Sequence, residues 1–75
     1  MTETGGENIE KLVRMGNQIG AFFKSYPEQT AVEGVREHIA RFWTTKMRAA
    51  FLNHLAAGGD GVDALVAKAA TGLKK

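Results

Sequence analysis

Seventy-five residues, 44% of them hydrophobic, with ten basic and eight acidic side chains, are too apolar for a disordered chain and too evenly charged for a polybasic tail. The absence of cysteine excludes a disulfide, a thiolate zinc site and an ordinary iron-sulfur cluster. A chain this short buries only about 60% of its unfolded surface, so its core is marginal, and with covalent and metal staples excluded its support must come from self-association or docking.

Met1 to Glu7 is polar and carries Gly5 and Gly6, which predicts a disordered N-terminus over 1–7. No basic residue precedes Lys11, so the start lacks the pattern of a secretory signal, and a cytoplasmic location is the default expectation. In the apolar N-terminal third the longest stretch without a charge, Met15 to Phe23, is nine residues, well short of the ~20 that span a bilayer. Ile9, Leu12, Val13, Gly16, Ile19, Gly20 and Phe23 recur at helical spacing, with Asn8 placed to cap the first free N–H groups. Pro27 predicts an end to this helix at Ser25 or Tyr26 and then opens the next.

Val32, Val35, Ile39 and Phe42 form the stripe of a second amphipathic helix near Glu28 to Trp43, with Glu33, Arg36, Glu37 and Arg41 on its other side. Thr44 can cap a third helix bearing Met47, Phe51 and Leu55, which Gly58 and Gly59 would stop through a left-handed turn. A shorter fourth helix is expected to start at Asp60, bury Val62, Leu65, Val66 and Ala69, and stop at Gly72. No strand-like alternation competes with these periods. The expectation is an all-α fold, a small bundle of three to four short helices, with a single helical domain over 8–72 and a basic tail over 73–75.

Few residues suggest chemistry. His38 and His54 sit on different predicted helices, outside any HExxH-type pair, and read as border residues of apolar stripes. Ser25, Thr44 and Thr45 belong to no nucleophile motif, and Gly58 to Val62 lacks the lysine and preceding strand of a phosphate loop. Glu33 and Glu37 share a polar face with Arg36 and Arg41, the pattern of a solvated helix surface. Arg36, Arg41, Lys46 and Arg48, with Phe42 and Trp43 among them, make the most basic stretch and give the alternative function: a small basic helical nucleic-acid-binding regulator. The modest net charge of +2 and a joint without glycine make nucleic acid the weaker reading.

The apolar residues are more informative. Phe22 and Phe23 lie about 100° apart on one helix, as do Phe42 and Trp43 on the next. A narrow seam needs one member of each pair and leaves the other to flare outward with Met15 or Met47, as at protein interfaces; a wide core stripe would bury both. Gly16 and Gly20 each cost about 1 kcal/mol relative to alanine inside a helix, and their four-residue spacing opens a groove for close approach. Phe42 or Trp43 is the simplest internal visitor, and a partner helix would fit the same groove.

The string Leu12-Val13-Arg14-Met15-Gly16-Asn17-Gln18-Ile19-Gly20-Ala21-Phe22-Phe23 resembles the opening block of the delta subunit family of NAD-dependent molybdenum formate dehydrogenase, and Val32 to Arg48 resembles its second helix and the arginine-bearing turn that follows. Where the family tends to place Asp-Pro after the tryptophan, this chain has Thr44-Thr45, and threonine can cap as aspartate does.

The resemblance implies a non-catalytic accessory subunit or assembly factor. It implies a large catalytic subunit as partner, with molybdopterin, iron-sulfur clusters and NAD held by the partner subunits, and it supplies no catalytic, cofactor-binding or metal-binding residue for this chain. The partner-interface candidates on the family-like blocks are Arg14, Asn17, Gln18, Phe22, His38, Arg41, Trp43 and Arg48. A homo-oligomer of the unpartnered chain would reuse the same apolar face.

Overall fold

Asn8 opens the first helix as expected, its Oδ1 accepting the backbone N–H groups of Glu10 at 3.0 Å and Lys11 at 3.3 Å. The computed structural model describes residues 8–73, and these form four helices and no strand: α1 Ile9–Phe23, α2 Glu28–Phe42, α3 Thr45–Ala56 and α4 Ala64–Ala70. The all-α expectation holds. The segment 1–7 expected to be disordered, and the final two residues of the basic tail, lie outside the described residues; Leu73 packs against the core margin.

Helix α1 ends at Phe23, two residues before the earlier of the two expected positions. The cause is still Pro27: it has no N–H to donate to the Phe23 carbonyl, which instead takes the Tyr26 N–H at 3.0 Å and tightens the chain into a turn. Thr44 caps α3 as expected, with Oγ1 accepting the Met47 N–H at 3.1 Å, while Met47 Sδ lies 3.5 Å from the Thr44 nitrogen. Gly58 and Gly59 follow α3 at φ of 125° and 65°, the left-handed turn their sequence implies.

The fourth helix departs from expectation at its start and stops by Gly72 as expected. It starts at Ala64 with Asp63 as its cap, Oδ2 accepting the Leu65 N–H at 3.3 Å, rather than at Asp60. Gly61 at φ 83° carries the turn on past Asp60, and a helix cannot run through that conformation. Val62 therefore lies in the loop, half-buried, and Val66, Ala69 and Ala70 form the fully buried face. At the other end Thr71 is the cap residue, and Gly72 is not left-handed. A Cβ there would stand 2.3 Å from Arg36 Nε. The glycine makes room for that guanidinium, which donates to the Ala69 carbonyl at 3.1 Å and neutralises the C-terminal end of α4.

Helix α1 contacts the other three helices, and α2 packs against α1 and α4. Phe51, Ile39, Val35 and Val66 are the largest fully buried side chains, and no polar or charged residue is buried among those described. The glycine groove on α1 is filled from inside the chain, but not by Phe42 or Trp43. A Cβ on Gly16 would meet Phe51 Cζ and Val66 Cγ1, each at 3.3 Å, and one on Gly20 would meet Val66 Cγ2 at 2.6 Å. Asn17, between them, locks the α3–α4 loop in place: its Nδ2 donates to the Gly61 carbonyl and its Oδ1 accepts the Asp63 N–H, both at 2.9 Å. Lys24 adds an ion pair to Asp63 at 3.1 Å.

Candidate docking groove

Two adjacent aromatic pairs shape another side of α1, where it meets α2. Helical geometry separates Phe22 from Phe23 by about 100°, so Phe23 turns toward α2 while Phe22 is left 69% exposed, the two rings edge-to-face at 5.0 Å. Gly34 is what admits Phe23: a Cβ at that position would lie 2.5 Å from the ring, so the ring rests on the bare α2 backbone. The second pair splits because α2 stops between its members. Trp43 leaves the helix in extended conformation (φ −91°, ψ 145°), which carries its ring into the core, 5% exposed and edge-to-face with Phe51 at 5.3 Å. Phe42, expected in the buried stripe, is instead 69% exposed and lies against the His38 ring at 4.8 Å.

Between these pairs lies an open groove of about 440 Å³. Helix α1 supplies Met15, Gln18, Ile19, Phe22 and Phe23, and α2 with its cap supplies His38 and Trp43. The lining is mostly apolar, with the Gln18 amide and the His38 imidazole as its polar groups. None of its lining residues carries a carboxylate, hydroxyl or thiol.

Of the interface candidates named from sequence, the groove brings together Gln18, Phe22, His38 and Trp43. Arg14 lies one turn before Gln18 on the exposed surface of α1. Arg41 is exposed on α2, its Nε 3.4 Å from Glu37 Oε2. Asn17 and Arg48 are engaged inside the chain, the first on the α3–α4 loop. The second donates from Nη1 to the Trp43 carbonyl at 2.7 Å and from Nη2 to Thr45 Oγ1 at 3.3 Å. Arg48 thus fixes the α2–α3 joint that aims Trp43. Gly34 was missed from sequence, although a glycine interrupting the amphipathic α2 carries the same signal as Gly16 and Gly20.

The remaining features of the surface are structural. His54 Nε2 is 2.8 Å from the Asp60 carbonyl, joining α3 to the following loop. Of the four cations in the basic stretch, Arg36, Arg41 and Arg48 each have an intramolecular partner. Glu28 on α2 pairs with Lys68 on α4, and the hydrogen bond and charge of that lysine hold its carboxyl below the ordinary value of 4.5.

Residues 11–70 match the family model described as NADH-dependent formate dehydrogenase delta subunit, FdsD. The chain belongs to this formate dehydrogenase delta subunit family. No curated protein and no solved structure matches it. The matched span runs from the first turn of α1 to the last residue of α4, and so contains the whole groove. The sequence contains no cysteine. Among the described residues no three His, Cys, Asp or Glu side chains converge on a metal-sized site. No described helix is long and apolar enough to cross a membrane.

Proposed function

We propose that this delta-family chain is a non-catalytic accessory subunit of a cytoplasmic NAD-dependent molybdenum formate dehydrogenase. It docks the α1–α2 face on the large catalytic subunit, stabilising that subunit or assisting its maturation. Molybdopterin, iron-sulfur clusters and NAD are held by the partner subunits, and this chain binds none of them. The observation that carries the reading is the pair of phenylalanines, each 69% exposed: Phe22, which lines the apolar groove, and Phe42, which lies against the lining residue His38. Full burial of such a side chain is worth about 1.5–3 kcal/mol, and a chain with a marginal core gains by covering both against another surface.

Co-expression with the large subunit, followed by purification on a tag carried by this chain, tests the proposal directly. The expected result is a stoichiometric complex, together with reduced formate oxidation in cells lacking the chain. Recovery of the tagged chain alone, with formate oxidation unchanged by its deletion, would refute the accessory role.

A further inference from the structure

The charges around the groove define what should enter it. Arg14 is exposed on α1 one turn before the lining residue Gln18 and makes no ion pair among the described residues. Arg41 is exposed on α2, three residues beyond the lining residue His38. Its pairing with Glu37 joins two side chains that are 69% and 68% exposed, a weak contact that a better carboxylate can displace. The lining itself carries no acid. Each wall of this apolar slot thus carries an arginine within one helical turn of a lining residue, Arg14 by Gln18 and Arg41 by His38, with Glu37 beside Arg41.

Resting on the docking role proposed above, we propose that this groove receives a partner segment in which one large apolar side chain is flanked by carboxylates. The apolar side chain enters between Phe22 and His38, and the carboxylates face Arg14 and Arg41. A slot of about 440 Å³ has room for one aromatic or branched aliphatic anchor together with part of its neighbours. The apolar contact governs residence time, and the flanking charges govern encounter rate and register. A second copy of the chain is a poor occupant. A two-fold contact opposes the patch to itself, which would set two slots with arginine-bearing walls face to face.

The test uses the full-length chain, with the large catalytic subunit of formate dehydrogenase as the probe. Phe22→Ala should weaken binding about tenfold or more, the scale of an interface anchor. Arg14→Glu should weaken it about tenfold and flatten its decline with added salt. Both positions are exposed, so unchanged circular dichroism and melting temperature separate a binding effect from misfolding. A photo-crosslinking residue at Gln18 should capture a large-subunit peptide with an acidic residue within a few positions of a large apolar one.

A crosslinked peptide without an acid, or a crosslink to a second copy, overturns the proposal. If the parent chain and both variants bind equally well, the groove is wrong while the docking role stands. If the parent chain itself does not bind, the docking role falls and the groove assignment with it.

Discussion

On one side of α1, Gly16 and Gly20 lie against Phe51 and Val66; on another, Met15 and Phe22 line an open groove. Both sides are apolar, but their shapes differ. A face of glycines can be filled only by close approach, and the chain supplies two stiff side chains from α3 and α4 that fit it. A face of large side chains needs a complementary concavity, and no described helix provides one. Hydrophobicity alone does not tell a core face from a docking face. Whether the rest of the chain carries the matching shape does.

The largest effect expected from breaking the closed side is that of Phe51→Ala. Phe51 is fully buried between Trp43 and Gly16, and its loss should cost about 3–5 kcal/mol, enough to unfold much of a chain this small in an equilibrium urea titration. The two glycines should then behave differently. Gly20→Ala drives a methyl to 2.6 Å from Val66, whose β-branched side chain cannot rotate away. Overpacking of about 1–3 kcal/mol should outweigh the roughly 1 kcal/mol of helix propensity regained, lowering the urea midpoint. Gly16→Ala meets its neighbours at 3.3 Å, and a small shift should keep its stability within about 1 kcal/mol of the parent.

Asn17→Ala removes both hydrogen bonds to the α3–α4 loop and should cost about 1–2 kcal/mol, with amide exchange near Gly61 and Asp63 accelerating first. The open side should be indifferent by comparison: Phe42→Ala should leave stability within about 0.5 kcal/mol in the same titration. The smallest effect belongs to Glu28, whose carboxyl is held below 4.5 by Lys68. Its contribution is present above 4.5 and lost as pH falls through the lowered value. Glu28→Gln should therefore change the melting temperature only above that range, and high salt should erase the difference because the pair is exposed.

Much of the architecture could be read directly from residues with a local job. Asn8 and Thr44 cap, Pro27 breaks, Gly58 and Gly59 turn, and Val35 and Ile39 keep the helical period. The errors occur where a local signal competes with a distant contact. Asp60 and Asp63 are both able to cap, and the choice falls to Asp63 because Gly61 prolongs the turn and Asn17, more than forty residues away, holds the Asp63 N–H. Phe42 and Trp43 both fit the α2 stripe, and the helix end after Phe42 turns only Trp43 inward.

The groove was half visible. Phe22, Gln18, His38 and Trp43 stood out as aromatic or polar residues of the family-like blocks. Nothing local distinguished them from Asn17 and Arg48, whose partners lie within the chain.

Asn17 has a further consequence, for the order in which the protein forms. Its contacts to Gly61 and Asp63 span 44 and 46 residues, and the side chain that fills the glycine face, Val66, lies on the final helix. During synthesis α1 is made well before the α4 side chain that completes its glycine face. The residues of the groove emerge well before the element that buttresses them, so a nascent or truncated chain exposes both sides of α1 at once. Docking of α4 is then the event that completes the closure of the glycine face and leaves the groove as the open one.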